Sequence, residues 1–150
     1  MRPDLVVAPQ ARVIRTMMTP YLDELTTGSL TVYPQLSLYW QDADRFPYLI
    51  RLSGADAGFA LVRRHVGSGF HEMAEFYIAP AHRRRGCGRE AARALFARHP
   101  GWWHLQILDT NAAARAFWAR VIDAPMRTTA QRGSHGRPYT VLQFRAGDTA

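Results

Sequence analysis

The chain has 150 residues, 47% hydrophobic and 21% charged, with a formal net charge of +7. That suits a globular domain with a sizeable core; no apolar run approaches the ~20 residues of a membrane span, and the lone Cys87 excludes an internal disulfide. All 19 cationic residues are arginines, a residue that grips phosphate bidentately and stays charged at every relevant pH. The opening residues 1–10 lack the apolar stretch of a secretory signal, and with a single thiol the expectation is a reducing, cytoplasmic setting.

Residues 5–8 read as a short first strand. From Val13 onward, Ile14, Met17, Met18, Tyr21, Leu22 and Leu25 recur at helical spacing. Pro20 interrupts them. The preferred reading is a break, with Thr19 capping a second helix that starts at Pro20; the alternative is one kinked helix. Gly28 closes the segment. Residues 29–45 make an aromatic connection containing Tyr33, Pro34, Leu36, Leu38, Tyr39 and Trp40. Phe46–Leu52 and Gly58–His65 then read as a hairpin around the turn Ser53–Asp56. A turn over 66–70 leads into a strand from Glu72 to Ala79.

That strand runs into Arg83-Arg84-Arg85-Gly86-Cys87-Gly88, and a helix begins near Arg89. Its buried face is Ala91, Ala92, Leu95 and Phe96, and His99-Pro100-Gly101 stops it. Strand, glycine turn and helix together can hold a diphosphate. The N–H groups of a first helical turn lack intrahelical partners, and the helix dipole adds roughly half a positive charge there. A Cβ at Gly86 or Gly88 would stand between backbone and phosphate. A solvated basic turn has the same local composition, and the spacing is neither G-x-x-x-x-G-K-[ST] nor G-x-G-x-x-G. Trp103, Leu105 and Ile107 alternate with His104 and Gln106 as the next strand, reached by a crossover that makes it parallel to the previous one. Asp109-Thr110-Asn111 caps a helix with the inner stripe Ala114, Phe117, Trp118, Val121 and Ile122. Two last strands flank a turn at 133–136, with Val141, Gln143 and Arg145 opposite Leu142 and Phe144.

Arg83-x-x-Gly86-x-Gly88, set between strand and helix and followed by Asn111-x-x-Ala114-x-x-Phe117-Trp118, resembles the Q/R-x-x-G-x-G/A signature of the GNAT superfamily of N-acetyltransferases. The resemblance spans residues 72–122. It implies an α/β fold over a single domain, 1–150: a mixed, largely antiparallel sheet with a splayed parallel central pair and helices on both faces. It also implies acetyl-CoA as co-substrate, with the diphosphate on the glycine turn and the pantetheine arm in the splay. The residues so implicated are Tyr77, Ile78, Arg83, Arg84, Arg85, Gly86, Cys87, Gly88, Arg89, Asn111, Phe117 and Trp118. The implied reaction is acetyl transfer to an amine, small or peptidic, with the acceptor left open. Dimers are common in the superfamily, which makes a homodimer an expectation to hold open.

Such a transfer needs a base for the amine and polarisation of the thioester carbonyl. Glu72 and Glu75 are the carboxylates offered by the central strand. Three positions apart, they face opposite ways in a regular strand, although a bulge, frequent here in the superfamily, would disturb that parity. Glu75 is preferred, being nearer the thioester end, where partial burial raises a carboxyl pKa. Trp118 stands where the superfamily often has a tyrosine acid, and an indole N–H gives up no proton near neutrality. Tyr77 and Tyr139 are alternatives by residue type. Cys87 reads as a core side chain. The six histidines form neither an i,i+4 pair nor a Cys/His cluster, so no metal site is expected. Two rival readings remain: a non-enzymatic acyl-CoA-binding module, favoured by the missing tyrosine, and an arginine-rich nucleic-acid-binding protein, supported by charge alone.

Overall fold

The computed structural model describes residues 2–26, 28, 32–133 and 136–147; residues 29–31 of the aromatic connection and 134–135 of the last turn, His135 included, lie outside the described residues. The elements in chain order are β1 (Asp4–Val7), α1 (Ala11–Thr26), a 3-10 turn (Leu36–Trp40), β2 (Arg45–Leu52), β3 (Ala55–Arg64) and β4 (His71–Ile78). A 3-10 turn (Pro80–His82) leads to α2 (Cys87–Arg98), β5 (Gly101–Leu108), α3 (Ala112–Val121), β6 (Met126–Arg132) and β7 (Pro138–Ala146). The seven strands form one sheet in the order β1-β2-β3-β4-β5-β7-β6. Every neighbouring pair is antiparallel except β4–β5.

The sheet carries apolar side chains on both faces. On one, Trp103, Leu105, Phe144 and Val62 pack under the stripe Ala91, Ala92, Leu95 and Phe96 of α2 and under Trp118 and Val121 of α3. On the other, Phe59, Leu61, Leu49 and Tyr77 pack under Ile14, Met18 and Leu22 of α1 and under Leu36 and Tyr39 of the 3-10 turn. The helices therefore cover both faces, as the resemblance implies.

α1 corrects the expectation at Pro20. One helix runs from Ala11 to Thr26 with Pro20 inside it. The reason is a balance of magnitudes. A proline in a helix interior costs about 3 kcal/mol, whereas Ile14, Met18 and Leu22 lie at i, i+4 and i+8 on both sides of it and are fully buried. Each such side chain contributes roughly 1.5–3 kcal/mol on burial. Continuing the stripe outweighs the lost backbone bond, and Pro20 itself faces solvent.

The β2–β3 hairpin is tighter than expected. Ala55 and Asp56 belong to β3, leaving a two-residue turn in which Ser53 and Gly54 both have positive φ, 53° and 81°. Such a turn follows the right-handed twist of the strands it joins. Gly58 allows β4 to approach: a Cβ there would lie 1.9 Å from the Tyr77 carbonyl oxygen.

The parallel pair β4–β5 is joined only at its beginning, through His71 with Trp103 and Glu72 with His104. Beyond those pairs the two eight-residue strands separate. The sheet is thus split between its two central strands, and the split opens toward the starts of α2 and α3. No helix among the described residues is long and apolar enough to cross a membrane.

Candidate active site

The split leads into a cleft of about 1040 Å³. Tyr77 and Ile78 from the end of β4 form one wall. Arg83, Arg84, Gly86, Gly88 and Arg89 form its basic end, and Asn111, Ala114, Phe117 and Trp118 of α3 form the opposite wall. These are the residues that the glycine-turn and α3 motifs single out. Arg85 and Cys87 are not on the cleft surface; Cys87, the first residue of α2, points into the core, and burial pushes its thiol pKa up. Arg120, on the α3 side, also lines the cleft. No motif pointed to it, because a charged residue one turn from the apolar stripe reads as solvated surface.

The start of α2 is built to be open. Its N-cap is Gly86, at φ 78°, and no side chain caps the first turn. Left-handed backbone at this point favours glycine, so Gly86 is required by conformation rather than by a nearby atom; nothing lies within 4 Å of the Cβ position. Gly88 has a different reason. A Cβ there would meet the Phe117 ring at 3.1 Å and Ile78 at 3.4 Å. Its absence lets the first turn of α2 pack against α3 and β4, a packing reason beside the expected one of phosphate access. The free N–H groups of this turn, with Arg84 and Arg89 beside them, fit a diphosphate. Arg83 is committed to the scaffold: its Nε donates to the Ile78 carbonyl at 2.7 Å, and it forms a forked ion pair with Glu24 at 2.8 and 2.9 Å. Asn111 caps α3 through Oδ1, which accepts from the Ala114 N–H at 3.1 Å, while also lining the cleft.

Midway along β4, between the closed end of the splay and Ile78, stands Glu75. The Tyr21 hydroxyl donates to its Oε1 at 2.5 Å and the Tyr33 hydroxyl to its Oε2 at 3.0 Å. Burial pushes the Glu75 carboxyl up to about 7; the two phenol hydrogen bonds pull the other way, and the nearby Glu72 adds to the rise. The group is surrounded by protein mass yet keeps some accessible surface. Tyr21 itself lines the cleft. Burial, and then the Glu75 charge, raise the Tyr21 and Tyr33 phenols well above their ordinary value, so both remain protonated donors.

The two carboxylates do not face opposite ways. Leu61 pairs with Glu75, but Val62 pairs with Met73 and Arg63 with Glu72, so Ala74 is an extra residue in β4. Partners across an antiparallel ladder share a face, as do residues two apart in one strand. Glu75 therefore shares the face of Leu61, and Glu72 the face of Arg63, which is the same face. The bulge turns both toward α1. Glu72 is engaged elsewhere, its Oε1 lying 2.7 Å from His65 Nε2.

Trp118 is nearly fully buried. It touches Phe76, Phe117 and Phe96, with ring centroids 5.3, 4.8 and 6.3 Å away. It walls the cleft and has no proton to give. Tyr77 lines the cleft with its ring against Tyr21 and Phe59, whereas Tyr139, paired with Leu108 at the β5–β7 ladder, does not line it. Tyr21 and Tyr33 are the residues that sequence reasoning missed. Tyr21 was visible as a member of the α1 stripe, and a buried phenol needs a hydrogen-bond partner; the identity of that partner, 54 positions away, was not readable.

The profile of the acetyltransferase (GNAT) family matches residues 12–122. The chain belongs to that family and is an acetyl-CoA-dependent N-acetyltransferase. Solved structures agree in fold. An acetyltransferase from Thermus thermophilus superimposes with a TM-score of 0.75 at 17% identity, covering 97% of each chain. Salmonella typhimurium yncA, solved with its cofactor acetyl-CoA, gives 0.70 at 19% identity over 99% of this chain and 95% of that one. A spermidine N-acetyltransferase chimera of Vibrio cholerae SpeG and hSSAT gives 0.68 at 13% identity over 95% of each. No curated protein matches the sequence significantly.

Proposed function

We propose that Glu75 is the base of the acetyl transfer and that Tyr21 relays the proton to it. The observation that carries this reading is the placement of Glu75, a carboxyl with a pKa of about 7, behind a tyrosine that lines the cleft. A base works best when its pKa lies near the working pH. The acceptor ammonium gives a proton to the Tyr21 oxygen as the Tyr21 hydroxyl proton passes to Glu75 Oε1. The freed amine then attacks the thioester. Tyr33 holds the second carboxylate oxygen and fixes the pair. Acetyl-CoA supplies the activated acetyl group. Arg84, Arg89, Arg120 and the open start of α2 hold its phosphates, and Asn111, Phe117 and Trp118 wall its arm. Thiols with pKa near ~8.5 leave tolerably without a dedicated acid, so Trp118 is no obstacle to turnover.

The amine acceptor enters from the side of Tyr21, Tyr33 and the 3-10 turn, where α1 meets β4. Its identity is the finer question, and a screen of polyamines, amino acids and peptide amines with acetyl-CoA and thiol detection addresses it. A cytoplasmic setting fits the lone, buried Cys87. The roles are tested by substitution. Glu75→Gln lowers kcat by roughly 10²–10⁴-fold with acetyl-CoA affinity unchanged, and Tyr21→Phe lowers it by a comparable factor. A larger loss in Glu72→Gln than in Glu75→Gln would overturn the assignment.

A further inference from the structure

A second cluster lies on the same face as Glu75, at the closed end of the split. His65 follows β3, Glu72 is near the start of β4, and His104 is on β5, paired with Glu72 in the parallel register. His65 Nε2 lies 2.7 Å from Glu72 Oε1. The two imidazole rings are 5.0 Å apart, and one donor atom from each of the three residues lies within 4.8 Å of the others. The sequence hides this group because its members come from the end of β3, from β4 and from β5, at separations with no ligand-like spacing.

We infer that His65, Glu72 and His104 form a binding site for a divalent transition ion of the zinc class. Zinc bonds histidine nitrogen and carboxylate oxygen at about 2.0–2.2 Å in a tetrahedron, which places donors roughly 3.3 Å apart. The three atoms, within 4.8 Å of one another without an ion, have to draw closer by about an ångström or more to take that spacing. Two imidazoles with one carboxylate select zinc, cobalt, nickel or copper over magnesium and calcium, which prefer an all-oxygen shell. Three protein ligands leave a fourth position for water. Phe70 stacks on Trp102 at 5.8 Å and stands 6.1 Å from the His104 ring, giving the site an apolar wall of the kind that limits solvent access. Arg63 lies opposite Glu72 in the ladder and is the cation that an ion at this site has to tolerate.

The position gives the ion a purpose. β4 and β5 pair only at His71–Trp103 and Glu72–His104. An ion held here ties β3, β4 and β5 together where the two halves of the sheet meet, and fixes the hinge of the cleft. It takes no part in acetyl transfer, and the inference does not depend on the roles of Glu75 and Tyr21.

Cobalt and zinc added to the metal-free protein provide the test. One equivalent of Co²⁺ produces visible d–d absorption, and one equivalent of Zn²⁺ displaces it and raises the melting temperature. His65→Gln and His104→Gln, each verified as folded by circular dichroism, abolish the absorption, and Glu72→Gln weakens binding at least tenfold. In the unmodified protein, ring resonances of two of the six histidines shift with stoichiometric Zn²⁺, a readout that needs no variant. Absence of one-to-one binding below ~100 µM, or binding that survives both histidine substitutions, would overturn the site.

Discussion

At Glu75 the burial that makes a useful base also destabilises the fold. The carboxyl is pushed from its ordinary value of 4.5 up to about 7, and each tenfold change in proton affinity corresponds to about 1.4 kcal/mol. A folded-state pKa raised above the unfolded one means that the folded protein binds the proton more tightly. The stabilising contribution is complete below pH ~4.5 and is lost as pH rises through about 7. Glu75→Gln, which cannot ionise, should therefore be more stable than the natural protein at pH 8, by on the order of 3 kcal/mol, with the gap closing by pH 4. Urea unfolding at the two pH values measures this, and an equal difference at both would show that Glu75 is not perturbed. The activity profile follows the same group: kcat/KM should climb through a pKa near 7, and that limb should vanish in Glu75→Gln. Trp118 makes the opposite contribution. Trp118→Phe should keep most activity, while Trp118→Ala should cost about 3–5 kcal/mol by leaving a cavity and weaken acetyl-CoA binding with it. Loss of activity in Trp118→Phe with coenzyme still bound would show that the indole does more than pack. Of these residues the sequence singled out Glu75 and Trp118, since strand position and helical spacing are local properties. The common face of Glu72 and Glu75 was hidden, because the Ala74 bulge exists only in the register between β3 and β4.

Among the elements, α1 and α2 depart from ideal helices for different reasons. Pro20 was read as a break because propensity is local, and the compensating burial of Ile14, Met18 and Leu22 against β2 and β3 is not. Pro20 faces solvent, and neither it nor its neighbour Thr19 lines the cleft. Pro20→Ala should accordingly stabilise the protein by about 1–3 kcal/mol without changing KM for acetyl-CoA. A destabilised variant in calorimetry would mean that Pro20 itself helps to position Tyr21. At α2 the departure lies in the turn before the helix. Gly86 at φ 78° and Arg84 at φ 66° hold left-handed backbone at the edge of the cleft. Gly86→Ala should cost roughly 1–2 kcal/mol through its backbone alone, since no atom crowds the new Cβ, and should weaken acetyl-CoA binding as the turn relaxes. Isothermal titration compares the two; unaltered affinity in a folded variant would remove the turn from the binding site. The glycine spacing was legible in the sequence, but its two reasons were not. Gly88 serves the contact with Phe117, which only the packing of α3 onto α2 reveals.

At the scale of the whole molecule, the sheet consists of two blocks, β1–β4 and β5–β7, with the central ladder closed over only two residue pairs. The cores beneath α2 and α3 join the blocks on one face, but beyond Glu72 the backbone N–H and C=O groups of β4 have no partner strand on that side. Buried backbone groups without partners are costly, so this region is the one where a ligand arm lying between the strands has most to offer. Acetyl-CoA should then stabilise the molecule unevenly. At about a hundred times its dissociation constant it adds ~2.7 kcal/mol to the global unfolding free energy, visible as a rise in melting temperature. Hydrogen exchange should show more than this uniform gain. Amides of Glu75–Ile78, of the α2 first turn and of the second half of β5 should slow beyond the rest of the sheet, because they exchange by local opening of the split rather than by global unfolding. Amides of β6, on the far edge, should change only with global stability. The arginine-rich surface allows a control. Nucleic acid held by charge alone loses affinity steeply between about 50 and 200 mM salt, and it would protect no amides inside the split. Acetyl-CoA protection that stays confined to the split at about 200 mM salt identifies the cleft as the seat of the +7 charge's function. Uniform protection across all seven strands would instead mean that the two blocks move as one and that the open ladder is not the site of binding.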